Sequence, residues 1–326
     1  MQSFAVHSSE MNSKGRIWTV LALAAAGVLC ANGAEPGMRG GFALMGGGAD
    51  QDAAFAWMCD RAGSGVFLIL RASGTDAYDA YVHGLCARML GVETLIIASR
   101  QQADDPAIAT KIRDAGAVFV AGGSQDRYVN YWRGTPVEQA INGVISKNVP
   151  VGGTSAGLAV LGEYVFSARN DTIQSSEALK NPFDSRVTID SDFLRVPHLE
   201  GKITDSHFVA RNRMGRLIVF LARIAQSGSS APFGIGIDEK TAVLMETNGK
   251  ATVVGQGAAY FLHGSNPPED CRPNTPLTYE HISVYRLAPG AGEFDISSWK
   301  GSGGTAYTIS AKSGVLTSTL AGGGLY

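Results

Sequence analysis

From Gly41 onward the chain alternates short apolar runs with stretches of helical character: 42–45 before 50–62, 66–70 before 77–90, and 94–98 before 106–115. Continuous runs such as Val66-Phe67-Leu68-Ile69-Leu70 suit strands covered on both faces, and a helix between successive strands supplies a right-handed crossover. The pattern predicts an α/β fold on a doubly wound, mostly parallel sheet with helices on both faces. In such a sheet ligands bind at the carboxyl edge of the strands. Two glycine-rich segments end strands there: Ala121-Gly122-Gly123-Ser124-Gln125 follows 118–120, and Gly153-Thr154-Ser155-Ala156-Gly157 follows Val149-Pro150-Val151.

The second segment reads as strand, tight turn, helix. A side chain at the tip of such a turn is pushed into a strained, exposed position, and flanking glycines are needed where a Cβ would meet the neighbouring strand and helix. Ser155 is thereby presented as a nucleophile, and the N–H of Ala156 is left at a helix N-terminus, where a developing oxyanion is stabilised. Chance accounts for many bare G-x-S-x-G matches in a chain with 41 glycines. A phosphate cradle is the other use of such a turn, but the Gly-Lys-Ser/Thr ending of a P-loop is missing.

A serine hydroxyl needs a base within hydrogen-bond reach, and that base needs a third group to orient it. Of the six histidines, His7 lies in the N-terminal segment and His83 in a helical stretch, which leaves His198, His207, His263 and His281. His207 stands in Asp205-Ser206-His207-Phe208, ahead of a helix expected over 209–225 that would carry Arg211, Arg213 and Arg216. A capped helix with a solvated basic face, Asp205 serving as its cap, would use the same residues. With His207 as base, the arginines instead become a binding site for substrate carboxylates, each gripped by two bonds.

Length and composition set the bounds. At 326 residues the chain buries a sizeable core, and a net charge of -2 with 17% charged residues gives no basic footprint for nucleic acid. Lys14 and Arg16 precede the apolar stretch 17–31 and then Ala31-Asn32-Gly33-Ala34, the architecture of a signal peptide over residues 1–34. The stretch is short of the roughly 20 residues that span a bilayer. A secreted or periplasmic protein is expected, with no membrane association after cleavage. Cys59, Cys86 and Cys271 would remain, an odd number; Cys59 and Cys86 read as buried small hydrophobes in helical patterns, with at most one bridge. Residues 165–206 read as a polar excursion over the pocket, 233–237 and 241–246 as further strands, and 289–326 as a Gly/Ser/Thr-rich β extension of the 35–288 domain.

At this point the residues carry a family resemblance. The blocks Val120-Ala121-Gly122-Gly123-Ser124-Gln125, Gly152-Gly153-Thr154-Ser155-Ala156-Gly157, Asp205 to Leu217, and Gly234 to Ala242 resemble, in order, those of cyanophycinases. These are serine peptidases of the aspartyl dipeptidase group, on a flavodoxin-like, class I glutaminase-like fold. The resemblance implies Ser155 as nucleophile, His207 as base and Glu239 as the orienting acid, with Glu177 as a fallback. It implies Gly123 and Ala156 as oxyanion donors, and Gln125, Asp205, Arg211, Arg213 and Arg216 around a β-aspartyl-arginine unit. The substrate would be a cyanophycin-like polymer or isoaspartyl peptide, with no metal or other cofactor; the oligomeric state, a homodimer included, stays open. Gly46-Gly47-Gly48-Ala49-Asp50 approximates the family's glycine pair, small residue and acid, and Ser124 and Ser206 stand where the family tends to carry Asp and Gln. Two other readings stand beside this one: an α/β-hydrolase esterase using Ser155, Asp238 and then His263 or His281, and a non-catalytic binding module on the same scaffold.

Overall fold

The computed structural model describes residues 39–228 and 231–326; the expected signal peptide lies outside them. The first half follows the alternation in the sequence. Its elements are β1 (Phe42–Met45), α1 (Asp52–Cys59), β2 (Val66–Arg71), α2 (Tyr78–Leu85), β3 (Gly91–Ile96), α3 (Arg100–Ala103), α4 (Pro106–Arg113), β4 (Ala117–Val120), α5 (Gln125–Trp132), α6 (Pro136–Ser146), β5 (Val151–Thr154) and α7 (Ala156–Ala159). Local chemistry sets the helix starts: Asp105 and Thr135 cap α4 and α6 through their side chains, each followed by a proline at the first helical position.

Strands β3, β2, β4, β5 and β1 lie side by side and parallel, in that order. Alternate residues divide between two cores. Phe42, Leu44, Leu68, Leu70, Val118 and Val120 face α4 to α7, whereas Ala43, Met45, Phe67, Ile69, Ala117 and Phe119 face α1 and α2. Helices thus cover both faces, as expected of runs apolar at every position.

The second half differs from the expectation. After β6 (Val165–Phe166), α8 (Ser175–Lys180), β7 (Ile189–Asp190), β8 (Lys202–Asp205) and α9 (Met214–Gln226) come β9 (Phe233–Ile237), β10 (Thr241–Met245), β11 (Lys250–Gly255), β12 (Ala259–His263), β13 (Tyr279–Leu287), β14 (Glu293–Asp295), β15 (Lys300–Ser302), β16 (Thr305–Lys312) and β17 (Val315–Ser318). Strands β10, β11, β14 and β15 extend the parallel array beyond β1 with antiparallel pairing, giving nine strands. Strand β9 leaves that sheet and joins β8, β12, β13, β16 and β17 in a second sheet of six. Ile235, Ile237, Ala259 and Phe261 turn one face of it to the first core, while Tyr260, Leu262, Ile282 and Val284 pack with α9. Residues 289–326 therefore supply strands to both sheets.

One local expectation is corrected, and the single bridge that the sequence allowed is present. Helix α9 starts at Met214 rather than at 209, because Asn212 takes a left-handed φ of 50° and breaks the turn. Arg211 and Arg213 consequently lie in the loop before it. Cys59 and Cys86 are bonded to each other as a disulfide joining the C-terminal ends of α1 and α2, while Cys271 is free and buried. Among the described residues no helix is long and apolar enough to cross a membrane.

Candidate active site

The turns leaving β1 and β5 of the first sheet gather with those leaving β8 and β9 of the second. Ser155 follows β5 with φ 53° and ψ −112°, a conformation costly for any residue with a Cβ. The geometry is enforced from both sides. A Cβ on Gly153 would lie 2.6 Å from the backbone of Gly157, and one on Gly157 would lie 1.9 Å from the carbonyl oxygen of Val120. Close approach of strand, helix and the neighbouring β4 is possible only with glycine at both positions.

His207 follows β8, also with a left-handed φ, of 47°. Its backbone N–H donates to Gly46 O at 2.7 Å, and Lys240 N donates to Gly47 O at 2.8 Å, so the glycine turn after β1 is laced to both β8 and β9. This places His207 Nε2 at 2.7 Å from Ser155 Oγ and His207 Nδ1 at 2.6 Å from Glu239 Oε1. Serine, imidazole and carboxylate form one hydrogen-bonded line. Burial holds the His207 imidazole below its ordinary value; the bond to Glu239 pulls the other way, and the charges of Arg211 and Arg213 add to the lowering. The hydrogen bond from His207 in turn keeps Glu239 below the ordinary carboxylate range. A neutral imidazole between an anion and a hydroxyl is the state from which a base can accept a proton.

The turn after β4 lies against the serine: a Cβ on Gly122 would be 3.5 Å from Ser155 Cβ. Gly123 and, at the start of α5, Gln125 follow in the same turn. Ala156 opens α7, where the first amides have no intrahelical acceptor. With four residues α7 is too short for a macrodipole of any weight, so any anion support there comes from individual amides.

The basic cluster divides in two. Arg216 and Asp205 are nearly inaccessible, with side chains 2% and 4% exposed, and face each other through Nε–Oδ2 and Nη2–Oδ1 contacts of 2.8 and 2.5 Å. Arg213 adds a longer contact to Asp205 and donates to Ser206 O at 2.8 Å. Although burial opposes ionisation, the Arg216 and Arg213 charges hold Asp205 below the usual carboxylate range. Asp205 and Arg216, expected to line the pocket, are committed to one another, and Arg216 is buried against Phe166 and Phe220. Arg211 is different: its side chain is 54% exposed, and its Nε stands 4.0 Å from Glu239 Oε1.

The remaining candidates are occupied elsewhere. Glu177 completes a capping box at the start of α8 and pairs with Arg186. Asp238 accepts from the backbone amides of Val209, Ala210 and Glu239. His263 stacks on Phe233, and His198 bonds to Thr247 O. Sequence reasoning missed the part played by the β1 turn: a Cβ on Gly47 would fall 2.5 Å from His207 Cε1, and one on Gly48 3.1 Å from Glu239 Cβ. The run of three glycines was the available signal.

Comparison with known proteins agrees with this architecture. The chain is 30% identical over 204 residues to a cyanophycinase of Trichormus variabilis, covering 61% of this chain and 63% of the relative. It is 30% identical over 209 residues to a cyanophycinase of Geminocystis herdmanii, covering 61% of this chain and 70% of that one. The alignment thus spans a little under two thirds of the first relative. The crystal structure of a peptidase from an acI-B1 Actinobacterium superposes with a TM-score of 0.52 at 19% identity, over 79% of this chain and 98% of that one, which shows a shared α/β fold. The model of peptidase family S51 matches residues 42–253, a span that holds every residue of the site above, and the chain belongs to that family.

Proposed function

We propose that this protein is a secreted serine peptidase that hydrolyses β-aspartyl-arginine links of cyanophycin or related isoaspartyl peptides through an acyl-enzyme on Ser155. The observation that carries the proposal is the unbroken line Ser155–His207–Glu239. Ser155 Oγ attacks the backbone carbonyl that links one β-aspartyl-arginine unit to the next while His207 Nε2 takes the hydroxyl proton; the C–N bond then breaks as His207 returns that proton to the leaving amine. Water, deprotonated by the same nitrogen, attacks the ester and releases the aspartyl carboxylate and free Ser155. Glu239 fixes the imidazole tautomer and supports its positive charge. The amides of Gly123 and Ala156 receive the oxyanion, and Arg211, exposed beside the line, takes the substrate's α-carboxylate.

Residues 1–34 support export, and the Cys59–Cys86 bond suits an oxidising compartment. No observation favours the esterase arrangement, since Asp238 and His263 are engaged away from Ser155. The test is dipeptide release from purified cyanophycin, with α-linked Asp-Arg as control. Ser155→Ala should lower turnover about 10⁶-fold. Arg211→Ala should raise KM about tenfold or more with kcat little changed, the loss of one charge-assisted bond. Near wild-type turnover in Ser155→Ala refutes the proposal.

A further inference from the structure

A second carboxyl lies close to the relay. Asp50 ends the turn that runs from β1 over His207 and Glu239, and it is half-buried. Its Oδ2 accepts a 2.5 Å hydrogen bond from the Tyr78 hydroxyl at the start of α2. Its Oδ1 is buried, as is Oγ1 of Thr154, the residue just before the nucleophile, and Thr154 favours the Asp50 anion. The carboxyl is three residues beyond Gly47, which passes directly against the His207 ring.

The charged and titratable groups around His207 come from four directions. Glu239 follows β9, Arg211 and Arg213 precede α9, and Asp50 follows β1. Around Asp50 itself stand Tyr78 and Tyr81 of α2, Thr154 of β5 and His207. Two arginines therefore oppose positive charge on the imidazole, and the half-buried Glu239 is the acid bonded to it. Proton transfer from Ser155 creates an imidazolium, so a second, half-buried anion has a task there.

We propose that Asp50 is a positioning residue of the relay: its carboxyl, anchored by Tyr78 beneath the β1 turn, supplies a negative field that supports positive charge on His207 during acylation. The proposal rests on His207 being the base. Desolvation raises the carboxyl's own proton affinity, while Thr154, Tyr78 and His207 favour the anion. Removing the Tyr78 bond should thus weaken the field, and removing the carboxylate should abolish it.

The test is an NMR titration of the His207 ring, assigned by loss of its signal in His207→Ala, in wild type, Tyr78→Phe and Asp50→Asn. The midpoint should fall in that order, by about half a pH unit or more for Asp50→Asn. The rate of fluorophosphonate labelling at Ser155 should fall in the same order. A merely structural role predicts the opposite sign: loosened packing would admit water, relieve the burial that holds His207 low, and move the midpoint up. A midpoint unmoved or raised in Asp50→Asn overturns the proposal. The titration needs no substrate, so a wild-type protein that releases no dipeptide would defeat the peptidase assignment alone.

Discussion

At the scale of single residues the site is defined by what cannot be there. Gly47, with φ 92°, passes so close to His207 that any side chain would occupy the imidazole's place. Gly47→Ala is accordingly expected to push the ring off Ser155, and a displacement of about 1 Å in a catalytic group costs on the order of 10²-fold in rate. The measurement is kcat on the dipeptide-releasing reaction together with circular dichroism. Activity within twofold of wild type would show that the turn can yield. Ser155 and His207 were legible in the sequence because each stands in a short motif whose neighbours have a stereochemical reason to be there. Asp50 was legible only as the acid closing the glycine motif; its setting was not, because it comes from Tyr78, 28 residues away.

At the scale of elements the sequence was most informative where structure repeats. The alternation of apolar runs and helical stretches locates β1 to β5 and their crossovers, since strand and helix periods are local properties. It placed α9 too early, because the chain between His207 and Met214 has helical composition but is folded back by tertiary bonds: Asp238 holds the amides of Val209 and Ala210, and Ser175 Oγ donates to Asn212 O. The Arg216–Asp205 pair locks α9 to the end of β8, and thus fixes the strand that delivers His207. Asp205→Asn would leave two buried guanidinium groups without their anion, and destabilisation of about 3–5 kcal/mol is expected from denaturant unfolding. The sign with pH follows. Because the folded carboxyl is held below its unfolded value, near 3.9, its stabilisation is present above that value and is lost as pH falls through the folded one. The Asn variant should lack this acid-dependent component; identical stability curves for the two proteins would show that the pair contributes nothing net.

At the scale of the whole molecule the sequence was least informative, since antiparallel pairings among distant short strands leave little periodic trace. Residues 289–326 read as an extension, yet β14 and β15 close the edge of one sheet and β16 and β17 that of the other. Tyr326 reaches back to the active-site side, where its hydroxyl accepts from Met214 N and donates to Asn212 Oδ1, and its ring packs on Phe208 and Tyr260. A chain ending at residue 288 is therefore expected to lose cooperative thermal unfolding instead of surviving as a smaller peptidase. A sharp melting transition with retained activity would show that the last four strands are dispensable.

The nucleophile hangs from one sheet and the base with its acid from the other, and the glycine turn after β1 is bonded to the base and to the residue after the acid. A polypeptide still emerging during synthesis has Ser155 long before Glu239 exists to steady the imidazole, and even a complete chain lacks the relay until both layers have docked. Any hydrolytic power that rests on this relay is thus withheld from an incomplete chain by topology.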